Sequence, residues 1–368
     1  MTELDALLDA LTRAPDVGDG ELRAWDAADR YLLDYATAEF SDALAGEVAV
    51  IDDTHGALTL GAGLLGAGIV RVHQDSIVAR RALAANAART GRAAGEQHPL
   101  EAVVTARTSL VLLRMPRSLE RLDAVARAVA ANAGPRLVLL AGNRIKHMTP
   151  TQNAVLEAGF ARVEATLARG KSRIVVARNP RRVRPAEPMR AAVDGIQVVA
   201  VPGVFAGAAL DIGTRALLAT FDQLPPFARA IDLACGTGVV AAELARRTPG
   251  ASILACDVSA IAVESARLTA EANGVEVETR HDDGLSAEPA ASADLVVLNP
   301  PFHAGAAVTT EIAHRLFADA ARVLRPGGEL RVVWNSHLAY RPVLERLVGP
   351  TRQLARTPKF TVTASRRR

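Results

Sequence analysis

Downstream of Phe227 the chain alternates short apolar runs with longer amphipathic ones. The run "RAIDLA" predicts a strand that stops at "CGTG", and "VVAAELARR" predicts a helix closed by Pro249 and Gly250. A second strand, "SILACD", leads into a helix bracketed by Ser259 as N-cap and Gly274 beyond its end. "VEVETR" reads as a third strand and "DLVVLN" as a fourth. A helix to Leu324 and a turn and strand in "RPGGELRVVW" follow. Repeated strand–helix units predict an α/β fold, a parallel sheet with helices on both faces.

The same order occurs earlier in the chain. "TSLVLLRMPRSL" (Thr108 to Leu119) parallels "ADLVVLNPPFHA" (Ala293 to Ala304), which sets Arg114 against Asn299 and Pro116 against Pro301. "RLVLLAGNRIKHM" parallels "ELRVVWNSHLAY", with Asn143 opposite Asn335, and "KSRIVVAR" parallels "KFTVTASR". Two tandem domains of one fold, related by duplication, are expected. Between them "NPRRVRPAEP" is rich in Pro and Arg and poor in apolar residues, as a linker is. The expected division is a first domain at 1–180, a basic linker at 181–195 and a second domain at 196–368.

Composition narrows the class. The 368 residues are 49% hydrophobic, which excludes a disordered chain, and the longest apolar runs fall short of a membrane span. The start, "MTELDALLDALTRAPD", is acidic and unlike a signal peptide, so a cytoplasmic protein with no membrane association is expected. The two cysteines, Cys235 and Cys256, fit a reduced setting. Net charge is only +3, yet Arg162 to Arg190 holds nine Lys/Arg against Glu164 and Glu187, and the chain ends in three arginines. Such clusters suit a phosphate backbone, and equally a solvated linker and tail.

In a doubly wound sheet, ligands bind at the carboxyl ends of the strands. Three residue sets of the second half fall there. The first is "DLACGTG", Asp232 to Gly238, where Gly236 and Gly238 let backbone approach a ligand. The second is Asp257 with Val258 beside it, an acid placed to accept from ribose hydroxyls. The third is Asp283 in "HDDG", placed to accept from the amino group of adenine. The glycine loop alone leaves a nicotinamide enzyme open, although Ala241 stands where the last glycine of that fingerprint falls.

The fourth strand ends in "NPPFH". Proline restricts the residue before it to extended backbone, so Pro300 and Pro301 hold Asn299 and its neighbouring carbonyls in fixed directions. A side-chain amide and a carbonyl together accept two N–H bonds from an amino group on a planar ring, and Phe302 offers a face for that ring. Asn299, Pro300 and Phe302 are the candidate catalytic residues. The chemistry that fits is methylation of a conjugated exocyclic nitrogen by orientation rather than by a strong base. His303 reads as a loop histidine. No His/Cys set has metal-ligand spacing, so no metal is expected.

The ordered set of glycine loop, Asp257, Asp283 and "NPPF" resembles class I S-adenosylmethionine-dependent methyltransferases. The whole chain, from "LRAWDAADRYLL" through "GVFAGAALDIGTRALL" and "LVVLNPPFH" to "NSHLAY" and "KFTV", resembles bacterial ribosomal RNA (guanine-N2-)-methyltransferases with a duplicated methyltransferase fold. The details resemble members acting on large-subunit (23S) RNA more than those acting on 16S RNA. The resemblance implies two tandem Rossmann-like domains. The C-terminal one would catalyse, with Asp211 and Gly213 joining the cofactor site and S-adenosyl-L-methionine as cofactor. The N-terminal one would be degenerate, non-catalytic and RNA-holding. In the first half "AVIDDTHGALTLGAG" lacks a GxG directly after its strand, and Arg-Met-Pro replaces Asn-Pro-Pro. The pattern departs at Phe205, where Ala206 and Gly207 replace the usual Ser-Arg. The implied partner is ribosomal RNA or a ribosomal subunit. Other amide-like targets (a release-factor glutamine, adenine N6) and a non-catalytic assembly factor stay open. So does the oligomeric state, with a monomer compatible.

Overall fold

The computed structural model describes residues 2–15, 22–301 and 306–368. The chain divides into two compact units, Met1–Glu187 and Pro188–Arg368.

In the first unit the strands are β1 (Glu47–Ile51), β2 (Ile69–His73), β3 (Glu96–Gln97), β4 (Thr108–Arg114), β5 (Val138–Arg144), β6 (Phe160–Ala165) and β7 (Ser172–Pro180). Its helices are α1 (Glu3–Ala10), α2 (Ala27–Glu39), α3 (Ser41–Leu44), α4 (Ala57–Leu64), α5 (Ile77–Thr90), α6 (Leu119–Asn132) and α7 (Thr151–Gly159). The sheet order is β3-β2-β1-β4-β5-β7-β6, parallel through β5, with β7 antiparallel to β5 and to β6. Burial explains the layering. Leu110 and Leu112 of β4 face one cluster with Leu32 and Leu33 of α2, whereas Val111 and Leu113 face another with Leu122 and Val125 of α6. Alternate side chains thus feed two cores, one on each side of the sheet.

The second unit opens with a hairpin, β8 (Met189–Val193) and β9 (Ile196–Ala200). Part of the stretch expected to be linker is therefore strand. Its five residues, Met-Arg-Ala-Ala-Val, are largely solvent-facing and follow directly on the Pro- and Arg-rich stretch, which hid them. Then come α8 (Ile212–Leu218), β10 (Arg229–Leu233), α9 (Val239–Arg247), β11 (Ser252–Asp257), α10 (Ala260–Ala272), β12 (Glu278–His281) and β13 (Ala293–Leu298). They are followed by α11 (Ala306–Val323), β14 (Leu324–Asn335), α12 (Arg341–Leu347), β15 (Thr351–Arg356) and β16 (Phe360–Arg366). The sheet order is β12-β11-β10-β13-β14-β16-β15, the same path as in the first unit. This repeated order turns the sequence parallel into a structural duplication: two Rossmann-like α/β units in one chain.

Strand β9 uses its outer edge on α10 instead of on another strand. Val199 N–H donates to Thr269 Oγ1 at 3.0 Å, Val201 N–H to Ser265 Oγ at 3.0 Å, and Gln197 N–H to Asn273 Oδ1 at 3.0 Å. Three polar side chains one helical turn apart thereby satisfy a strand edge. The first unit has a counterpart: buried Asn86 of α5 accepts from Thr12 N–H at 3.0 Å and donates to the Thr12 carbonyl at 2.8 Å.

At the end of β4, Arg114 continues the face of Leu110 and Leu112 and meets the head of α2. Its guanidinium donates to Asp26 at 3.0 and 2.5 Å and also to Asp29. Nearby, Arg121 of α6 reaches across the ends of β1 and β2 to Asp52 at 2.9 Å and His73 at 3.1 Å. Charge pairs thus fill the carboxyl edge of this unit. Arg114→Ala strands two partly buried carboxylates, so it is expected to cost the first unit about 3 kcal/mol. A lower urea midpoint with an unchanged slope is the expected reading.

Candidate functional site

The site lies at the carboxyl edge of the second unit's sheet. In β10, Ile231 and Leu233 face the α11 core and Ala230 faces the α8–α9 core, so Asp232 also points toward α9. There it is buried and accepts from the Ala241 N–H at 3.0 Å. Burial pushes the Asp232 carboxyl up to about 7, with the Asp257 charge adding and the Ala241 N–H opposing. Asp232 therefore fixes the strand–loop–helix joint from inside rather than lining open space.

The loop after β10 turns through left-handed backbone at Ala234, Gly236 and Gly238. The two glycines serve different ends. A Cβ on Gly236 would meet nothing within 4 Å, so that position opens onto free space. A Cβ on Gly238 would stand 2.6 Å from Ala266 of α10, so that glycine lets helix and loop pack. Asp257 holds the loop from the next strand. Its Oδ2 accepts from Gly236 N–H at 3.0 Å and its Oδ1 from Ser259 N–H at 2.9 Å. Val258 beside it is 38% exposed. Cys235 and Cys256 are buried free thiols, which burial pushes well up, so neither is a ready nucleophile.

Asp283 is buried beyond β12 and carries a forked ion pair. Arg315 of α11 donates to its two oxygens at 2.6 and 2.9 Å. Nothing in the sequence marked Arg315, since one arginine in a helix has no pattern. Asp282, next to it, bonds the Ala287 N–H at 2.9 Å and shapes the turn.

Asn299 follows β13. Leu295 and Val297 face the α8 side of the sheet, and Asn299 continues that alternation. Its Nδ2 donates to Asp211 Oδ2 at 3.2 Å and to Thr214 Oγ1 at 3.0 Å. Asp211 is the N-cap of α8, accepting from Gly213 N–H at 2.9 Å and Thr214 N–H at 3.2 Å. A Cβ on Gly213 would lie 2.9 Å from Asp211 Oδ2 and 3.5 Å from Asn299 Nδ2, which accounts for glycine there. Asn299 Oδ1 is buried and has no hydrogen-bond partner among the described residues. Pro300 is buried behind it. Phe302 and His303 lie outside the described residues. Thr214 was not singled out in the sequence. Its signal is the Asp-x-x-Thr spacing at the start of a helix.

The structure thus brings together Asp211, Gly213 and Asn299 in one cluster, and Gly236 with Asp257 in another. Asp283 bonds Arg315, and Asp232 and Gly238 lie beneath the loop. Among the described residues no group of three or more His, Cys, Asp or Glu is placed to hold a metal. In the same set no helix is long and apolar enough to cross a membrane.

Two outcomes test this geometry. Gly238→Ala, strained and clashing, is expected to cost about 3 kcal/mol or more in a denaturant titration, whereas Gly236→Ala costs about 1 kcal/mol. The folded value of Asp232 lies above its ordinary 3.8, so its contribution to stability is complete below about pH 4 and is lost as pH rises through 7. Melting of the ligand-free protein from pH 5 to 8 is expected to decline less steeply in Asp232→Asn, which keeps the Ala241 acceptor.

Comparison with known proteins shows the family. Residues 195–364 match the family model "Methyltransferase small domain", and residues 2–181 match "RLMG N-terminal domain". The chain is 37% identical to Ribosomal RNA large subunit methyltransferase G of Streptomyces coelicolor, covering 96% of each. It is 36% identical to the protein of the same name from Shewanella amazonensis, covering 96% of this chain and 94% of that one. Among solved structures it resembles a T. thermophilus 16S rRNA N2 methyltransferase in complex with AdoMet and guanosine. The TM-score is 0.74 and the identity 24%, with 89% of this chain and 91% of that one covered, which supports the shared fold. The chain belongs to the ribosomal RNA large subunit methyltransferase G family and is a class I, S-adenosyl-L-methionine-dependent methyltransferase.

Proposed function

We propose that this enzyme methylates the exocyclic N2 of a guanine in large-subunit (23S) ribosomal RNA in the cytoplasm. The observation that carries the reading is the buried Oδ1 of Asn299, without a partner among the described residues, beside a strand end fixed by two prolines. A buried acceptor without a donor costs free energy unless a ligand supplies one. An amino group on a planar base is such a donor. The relatives' name supplies the RNA class.

When bound, the cofactor supplies an electrophilic methyl group on a sulfonium. The residues of this chain fit it. Open space over Gly236 admits it close to the backbone, and Asp257 and Val258 stand at the strand end where a ribose would lie. Asp283 is assigned the adenine edge, with Arg315 keeping its carboxylate oriented. Asn299 Oδ1 and the Pro300 carbonyl accept the two N2–H bonds of guanine and aim the nitrogen lone pair at the methyl, while Phe302 stacks on the base. The released proton passes to water, since no strong base is required for a nitrogen that loses its conjugation on attack. A guanine in a duplex would have to be flipped out first. The first unit, its own edge filled by Arg114 and Arg121, is left to hold RNA, helped by the basic stretch around residues 162–190.

Labelled cofactor and deproteinised 23S RNA, followed by nucleoside analysis, are expected to yield N2-methylguanosine. Label in adenine or in a protein glutamine instead would redirect the reading. Asn299→Ala is expected to lower turnover by about 100-fold or more while calorimetry finds cofactor affinity within a factor of about two.

A further inference from the structure

We propose that Asp211 and Thr214 are positioning residues that lock the Asn299 amide in one of its two orientations. This deepens the proposed function and rests on its assignment of Asn299 as acceptor for the target amine.

A side-chain amide has two faces that occupy nearly the same volume, and only one carries lone pairs. Reversing Asn299 would turn two donors toward the incoming amino group and abolish recognition. Proline at 300 fixes the backbone but says nothing about that flip. The structure supplies the missing constraint. Asp211 Oδ2 and Thr214 Oγ1 both face the same nitrogen, at 3.2 and 3.0 Å. The carboxylate is acceptor-only and is itself held by the Gly213 and Thr214 N–H groups. A reversed amide would set its oxygen against that carboxylate. Nδ2 therefore faces the head of α8 and Oδ1 faces away from it, where it is buried with no hydrogen-bond partner among the described residues.

The first half of the chain carries an independent version of the same three positions. Asp26, Asp29 and Arg114 each stand 185 positions before Asp211, Thr214 and Asn299. Asp26 is again the helix N-cap, and both acids again face the residue at the end of the fourth strand. There the partner is a guanidinium, which has no acceptor to present. The acceptor pair at the helix head is thus a scaffold feature shared by both halves. In the second half a neutral hydroxyl and a neutral amide replace one acid and the arginine. The result keeps the anchor and frees an oxygen. Asp211, expected from the sequence to join the cofactor site, accordingly acts on the substrate side through Asn299.

The test separates anchoring from helix capping and from cofactor binding. Asp211→Ser keeps an N-cap but is too short to reach Asn299, and Thr214→Val is isosteric without the acceptor. Each variant, purified as the full chain, is assayed with 23S RNA at saturating S-adenosylmethionine, with melting temperature and calorimetry in parallel. Turnover is expected to fall about 10- to 100-fold in Asp211→Ser combined with Thr214→Val. Cofactor affinity should stay within a factor of about two, and the melting curve should remain cooperative. Asp211→Asn, which can still present an oxygen to α8 and to Asn299, and Thr214→Ser are expected to recover most of the loss. Full turnover in the double variant, with Asn299→Ala inactive, would overturn the lock while leaving the role of Asn299 intact. Weaker cofactor binding with intact turnover at saturation would return Asp211 to the cofactor site. An active Asn299→Ala would remove the reading on which the proposal stands.

Discussion

A parallel strand buried on both faces cannot turn back on itself; its chain must cross over the sheet through a helix before the next strand begins. Every central strand of each unit therefore ends on the same edge, and the turn beyond it has to be tight. In the second unit that turn uses left-handed backbone at Ala234, Gly236 and Gly238, and the equivalent turn of the first unit has Asp52 and Gly56 in the same region. The strict alternation of side chains then decides which core the residue after a strand belongs to. Asn299 falls on the α8 side because Leu295 and Val297 do. The position of the chemistry is a consequence of strand parity.

The two units show how little has to change on such a scaffold. Strand order, helix heads and the handed turn are retained. At the carboxyl edge of the first unit, Gln74 stands where the second has Asp257. It donates to the Asp53 carbonyl at 2.9 Å instead of accepting from the loop N–H. Each replacement closes a polar group onto its own chain. With Asp26, Asp29, Asp52 and Gln74 engaged by groups of its own chain, the first unit's edge offers a ligand few free acceptors. An edge with an unsatisfied acceptor is less stable and able to bind.

Strand and helix order in the second half was legible because buried parallel strands are nearly continuous apolar runs bounded by Gly, Pro and Ser. Ser259 and Gly274 bracket α10 as their chemistry requires. The hairpin β8–β9 was not legible, since its first strand faces solvent and sits among arginines. For the site, sequence order singled out the loop, Asp257 and Asn299 by their place along the strand ends, and the structure sets all three at the carboxyl edge of the sheet. Asp232 and Gly238 share those places yet face inward, toward Ala241 and Ala266, whereas Asp211, which came from the family resemblance, caps α8 and meets Asn299. Inward or outward is decided by packing between elements distant in sequence. Arg315 was invisible for the same reason, being far from Asp283 along the chain and beside it in space.

The clamps on α5 and α10 bear on how such a chain assembles. A polypeptide with one strand order written twice offers many segments two possible hosts, a known hazard for tandem domains made on the ribosome. The two clamps differ. In the first half Asn86 grips the donor and the acceptor of a single residue, Thr12. In the second, Asn273 grips Gln197 in the same two-way fashion, and Thr269 and Ser265 add holds on Val199 and Val201 farther along. On α5 the positions four and eight before Asn86 are Ala82 and Val78, so the longer β9 clamp has no equivalent there. A β9 segment docked on α5 would leave two backbone donors without the side-chain acceptors that α10 gives them, a cost that favours its own half.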